Sequence, residues 1–196
     1  MKRYLFALVG FALLSVSAQE VKPGILPSDI QIKTAVLPAP DDKKEGAMVY
    51  GYDPNGTLVV LREGTNDLVC IADDPNNEGI SVSCYFMALE PFMKRGRELR
   101  AEGKDTNELS EIRGSEVAKG LLKMPREPSM MYVYFGSEAA YDKTTGALAD
   151  GKFRYVIYTP FATPESTGLP IKPHAPGMPW LMDPGTHRAH IMVGPN

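Results

Sequence analysis

The chain has 196 residues, enough for one domain with a real core and too few for two comfortable ones. Hydrophobic residues at 43% and charged residues at 23% are ordinary for a globular protein, which argues against wholesale disorder, a coiled-coil rod or a multi-span membrane protein. A formal charge of −3 removes the broad attraction that nucleic-acid binders rely on, and two cysteines are too few for a disulfide scaffold or a four-thiolate zinc site.

Lys2 and Arg3 precede an almost unbroken apolar stretch from Tyr4 to Val16, and Ser15 to Ala18 supply small residues suited to cleavage before Gln19. That stretch, about 13 residues, falls short of the ~20 needed to span a bilayer. Residues 1–18 are therefore expected to be an export signal. The mature chain, with no transmembrane segment, is expected in the periplasm or outside the cell. Loss of Lys2 and Arg3 leaves 19 basic against 24 acidic residues, a net charge of −5 that repels nucleic acid and anionic lipid.

Residues 19–46 read as an extended lead-in. Pro23, Pro27, Pro38 and Pro40 interrupt helix, and Ile30, Ile32, Ala35, Val36 and Leu37 suggest one short edge strand. Residues 47–196 read as a single globular domain. Its first hairpin joins Ala47–Tyr52 to Thr57–Arg62 through Asp53-Pro54-Asn55-Gly56, a run of turn-forming residues. A second joins Leu68–Ala72 to Ile80–Phe86 across the loop Asp73–Gly79. The antiparallel register that sets Ala72 against Val82 also sets Cys70 against Cys84, within bridging reach. In an oxidising compartment these two are expected to form a disulfide.

Helical pattern occupies residues 89–122. Pro91 suits a first turn, Phe92, Met93, Leu99 and Ala101 give an apolar stripe, and Gly103 offers a stop. Asp105 and Glu108 have capping-box spacing for a second helix. Gly96 and Gly114 weaken these helices by roughly 1 kcal/mol each relative to alanine, so both must lean on tertiary packing. Strand character returns at Met130–Phe135 and Phe153–Thr159, rich in aromatic and β-branched residues. Residues 160–186 then read as proline-rich loop, and Arg188–Val193 as a last short strand. The expected fold is α+β: a mainly antiparallel sheet of hairpins carrying an inserted helical pair.

Several features are candidates for chemistry. His174, His187 and His190 lie with Met178, Met182 and Trp180 in one C-terminal segment, and imidazole with thioether suits copper or zinc. Their spacing is awkward, since an odd separation sends His187 and His190 to opposite faces of a strand unless His187 lies on a turn. Tyr132, Tyr134, Tyr155 and Tyr158, with Phe135, Phe153, Phe161 and Trp180, are the candidate lining of an aromatic ligand face. The loop Asp73, Asp74, Asn76, Asn77 and Glu78 lacks the ligand order of a calcium loop. Lys94, Arg95, Arg97 and Arg100 alternate with glutamates, as on a solvated helix face. No nucleophile elbow, phosphate loop or dinucleotide turn is present, so no catalytic residue is assigned. A Ser166, His190 and Asp183 trio is spatially open but unsupported by any motif.

The runs Glu90–Arg100, Tyr158–Gly168 and Pro179–Gly185 resemble segments of exported bacterial proteins of uncharacterised function. That resemblance implies an exported bacterial globular protein and supplies no catalytic residue. The reading is thus an exported, non-catalytic domain that binds a small ligand or an envelope protein, with no cofactor assigned. The alternatives are a copper- or zinc-binding protein using the C-terminal histidines and methionines, and a secreted hydrolase.

Overall fold

The computed structural model describes residues 24–195; the expected export signal lies outside them. Ten strands and four helices follow in chain order. They are α1 (Ser28–Ala35), β1 (Met48–Tyr52), β2 (Leu58–Arg62), β3 (Leu68–Ile71), β4 (Ile80–Phe86), α2 (Glu90–Ala101) and α3 (Thr106–Ala118). Then come β5 (Ser129–Gly136), β6 (Tyr141–Asp142), β7 (Ala147–Leu148), β8 (Lys152–Tyr158), α4 (Pro164–Thr167), β9 (Pro179–Met182) and β10 (His190–Val193).

Eight strands form one sheet in the order β2-β1-β3-β4-β5-β8-β10-β9, and β6 and β7 form a small separate hairpin. Every pairing in the large sheet is antiparallel except β1 with β3. The α+β class and the inserted helical pair are as the sequence predicts. Cys70 stands opposite Cys84 and the two are joined by a disulfide.

Register divides the sheet into two faces. One row runs Val49, Cys70, Cys84, Tyr132 and Tyr155; its neighbour on the other face runs Met48, Val69, Tyr85, Met131 and Val156. On the first face α1 covers β1, β2 and β4, burying Ala35 and Ala39 against Ala47, Val49, Cys70 and Cys84. On the second, α2 sets Met93 against Val69, Tyr85 and Leu89. Beneath α2, the Glu90 carboxylate accepts hydrogen bonds from the hydroxyls of Tyr50 (3.1 Å) and Tyr85 (2.5 Å). The α3 capping box forms as expected, with the Asp105 carboxylate accepting from the amides of Asn107 and Glu108.

Three expectations are corrected. The segment expected as extended lead-in and edge strand contains α1, because its prolines flank the helix: Pro27 stands just before it and Pro38 after it. A helix this short depends on tertiary contacts. Gln31 supplies them by bonding the Tyr52 backbone in both directions, Nε2 to the carbonyl at 2.9 Å and Oε1 from the amide at 2.7 Å. The proline-rich stretch 160–186 is not all loop, since it carries α4 and the edge strand β9. Arg97 is no solvated surface charge: it lies 2.6 Å from Glu90 with its guanidinium 4.5 Å from the Tyr50 ring centroid.

Candidate functional site

The aromatic residues divide between the faces. Register places Tyr132, Tyr134, Phe153 and Tyr155 together on the α1 side of the sheet, in β5 and β8, beyond the strands that α1 covers. Phe153 and Tyr155, two residues apart on β8, lie side by side with ring planes 9° apart and centroids 5.8 Å apart. Tyr132 meets Tyr155 edge-on at 6.2 Å, and Tyr134 tilts onto Phe153 at 4.8 Å. Phe153 is 38% and Tyr155 36% exposed, so the stacked pair is open to solvent over part of its surface. Sequence reasoning named all four of these rings; Phe135, one step from Tyr134, falls on the other face.

Tyr158 and Trp180 belong to the opposite face. The Tyr158 ring lies against Phe92 of α2 (5.9 Å) and against His190 (5.3 Å), and Trp180 pairs in register with Met192. The parity is simple: Tyr158 is three residues from Tyr155, and an odd step along a strand changes face.

The C-terminal histidines have separate surroundings. His187 sits in the turn before β10, its ring 5.8 Å from Phe92. His190 Nδ1 is 2.8 Å from the Arg188 carbonyl, with Met182 as its cross-strand neighbour. His174 and Met178 lie in exposed chain, His174 beside a surface hollow that Trp180 also lines. Among the described residues no group of three or more His, Cys, Asp or Glu side chains is placed to hold a metal ion. Ser166 is occupied in the cap of α4, accepting from the Thr163 amide at 2.9 Å, while Asp183 holds Arg188 at 2.8 Å.

Two further sites were not anticipated. A cavity of about 90 Å³ opens beside the β3–β4 loop, lined by Leu26, Tyr52, Asp73, Ile80 and Tyr141. Burial there pushes the Asp73 carboxyl up to about 6, aided by Asp74 and Glu138 and opposed by the Ser81 amide that it accepts. Burial likewise pushes Tyr52 up to about 12.

The second site lies between the helix pair and the β8–β10 end of the sheet. Arg113 of α3 is only 8% exposed, and its guanidinium lies 3.8 Å over the Phe92 ring centroid. Its Nη1 donates to the Phe92 carbonyl at 3.2 Å, while its Nε has no partner. Burial, with Arg100 and Arg188 nearby, pulls Arg113 down to about 10, which leaves it charged at neutral pH. His187, 9% exposed, has an unpartnered Nε2. The helix glycines now have a reason. A Cβ at Gly96 would lie 3.0 Å from Arg113 Nη1, and one at Gly114 would lie 3.1 Å from His187 Cε1. The signal in the sequence was an arginine four residues after Leu109, on the inward stripe of a glycine-bearing helix.

Fold and sites together define an α+β sheet protein with a partly exposed aromatic stack at the β5–β8 end of one sheet face. No family model, curated protein or solved structure matches the chain.

Proposed function

We propose that the protein is an exported, extracytoplasmic binding domain whose platform of Phe153 and Tyr155 takes a neutral carbohydrate. The observation that carries this reading is the stacked, partly exposed pair of rings at the β5–β8 end of one sheet face. Aromatic faces are electron-rich and flat, and the C–H faces of sugar rings are flat and weakly positive, so the two stack. An exposed aromatic patch of this kind marks a binding surface more often than chance burial. The mature charge of −5 favours a neutral ligand over nucleic acid or another polyanion. Export is supported by the basic and apolar N-terminal segment and by the Cys70–Cys84 disulfide, a bond that persists in oxidising compartments.

The test is co-sedimentation of the mature protein with insoluble neutral glucans and chitin, followed by NMR titration with the soluble oligosaccharides. Phe153→Ala and Tyr155→Ala are expected to weaken binding at least tenfold, and Trp180→Phe, on the opposite face, to leave it unchanged. Absence of binding across the panel, or binding indifferent to the platform substitutions, overturns the reading.

A further inference from the structure

The cavity beside the β3–β4 loop has walls that distant parts of the chain hold in place. Gln31 of α1 ties down two of them, donating to the Leu26 carbonyl at 2.7 Å and bonding the Tyr52 backbone. Thr34 ties down a third, its hydroxyl 2.6 Å from that of Tyr141. Ile25, Leu26, Ala72, Pro75 and Ile80 make the rest of the lining largely aliphatic.

Asp73 is the charge on this lining that lacks a counter-charge. The other two, Glu138 and Lys143, neutralise each other at 2.7 Å. Asp73 accepts one hydrogen bond, at Oδ1 from the Ser81 amide, and has no cation partner among the described residues. Asp74 beside it is engaged in its own loop, accepting from the Asn76 backbone amide at 3.0 Å and side-chain amide at 2.8 Å. The neighbouring charges that bear on Asp73, from Asp74 and Glu138, are both negative. A half-buried carboxylate against apolar walls is costly to leave unpaired. A cation in the cavity supplies the missing partner.

Size and lining select among cations. The volume of about 90 Å³ equals roughly three waters' share of the liquid, room for a methylated ammonium head and too little for a sugar ring. Such a head has few or no N–H groups to satisfy, so aliphatic walls suit it, and aromatic rings favour its charge. A calcium or magnesium ion would demand several oxygen ligands where this lining is carbon.

We propose that this cavity is a binding site for a methylated ammonium group, with Asp73 as its counter-charge and Tyr52 and Tyr141 as its aromatic walls. It shares no lining residue with the Phe153–Tyr155 pair, so either site stands or fails without the other.

NMR titration of the ¹⁵N-labelled protein with tetramethylammonium chloride tests the assignment. Sodium chloride at equal ionic strength and tert-butanol, a neutral molecule of similar shape, are the comparison arms. Saturable shifts are expected at the amides of Leu26, Asp73 and Ile80 with tetramethylammonium alone. Asp73→Asn, which keeps an acceptor for the Ser81 amide, is expected to weaken binding at least tenfold. Lys143→Gln leaves the Glu138 charge uncancelled and is expected to strengthen binding severalfold. Wild-type affinity is expected to fall as the pH drops through about 6, where Asp73 takes up its proton, and to stay level in Asp73→Asn. The other groups facing it do not share that range: Glu138 and Lys143 hold each other ionised through their hydrogen bond, and burial keeps Tyr52 and Tyr141 protonated. Absence of saturable shifts, equal shifts with sodium or tert-butanol, or binding undiminished in Asp73→Asn overturns the proposal.

Discussion

Arg97 and Glu90, two turns apart on α2, meet at 2.6 Å on the side of the helix that faces the sheet, and Tyr85 closes the triangle. Arg97 Nη1 donates to the Tyr85 hydroxyl at 2.8 Å, and that hydroxyl donates onward to Glu90. Burial and the Glu90 carboxylate hold the Tyr85 hydroxyl protonated far above neutral pH. This network joins the buried Phe92 and Leu99 in fixing how α2 sits. Glu90→Gln leaves Arg97 without its counter-charge and is expected to cost about 3 kcal/mol, the lower end for a pair that retains some solvent contact. The double variant Glu90→Leu with Arg97→Met is expected to recover most of that loss. Urea unfolding of Glu90→Leu, Arg97→Met and the double variant supplies the cycle.

Asp73 gives the protein a pH dependence of unusual sign for a carboxylate. Its folded value, about 6, lies above the ordinary 3.8, so the folded state holds the proton more tightly. Its stabilising contribution is therefore full below about pH 4 and is lost as the pH rises through about 6. Asp73→Asn keeps an acceptor for the Ser81 amide and removes the decline. The expected gain at pH 7.5 is about 1 kcal/mol once solvent screening of a partly open carboxylate is allowed for, measured by thermal or urea unfolding.

His187 acts in the opposite direction. Burial first, then Arg113 and Arg188, lower it below its ordinary 6.5. Its contribution is present above pH 6.5 and is lost as the pH falls through the depressed folded value. Between about pH 4 and 6.5 the two groups offset each other, so the variants separate them. In Asp73→Asn, stability is expected to fall on acidification across this window. In His187→Gln it is expected to rise. Identical profiles for the two variants would remove the basis for both assignments.

The Cys70–Cys84 bridge closes a 15-residue loop between two neighbouring central strands. In the chain-entropy description such a loop is worth about 3 kcal/mol. Cys70→Ala with Cys84→Ala is expected to lose about that much, and a reductant to lower the wild-type Tm while leaving the variant's unchanged.

The strands were legible where alternation and turn chemistry agreed. The disulfide is the sharpest instance, because a single register satisfied both the hairpin and the cysteines. The first helix was not legible. Ile30 and Ile32 carry strand propensity, the prolines obscure an eight-residue window, and what secures α1 is the distant pairing of Gln31 with Tyr52. The four rings of the aromatic face were readable from the even spacing of Tyr132 with Tyr134 and of Phe153 with Tyr155. Tyr158 was misplaced with that face because its aromatic character was read without its parity. Arg113 was signalled only by its place four residues after Leu109 on the inward stripe of α3. Its burial depends on α2, α3 and the β9–β10 turn converging on Phe92, a relationship between segments that no window contains.

The two borders of the large sheet restrict how the molecule can associate. At one border β2 departs from regular pairing with β1 between Val49 and Tyr50. There Arg62 folds back, its Nε bonding the Ala47 carbonyl at 3.0 Å. At the other, β9 is four residues long, begins with Pro179 and ends at the left-handed Asp183. Proline lacks the amide that another strand would engage, and short or irregular borders are poor templates for further pairing. Strand-by-strand polymerisation and capture of extended peptides are thereby discouraged. Encounters with other molecules are left to the broad surfaces of the sheet, where side-chain chemistry rather than backbone pairing decides what is held.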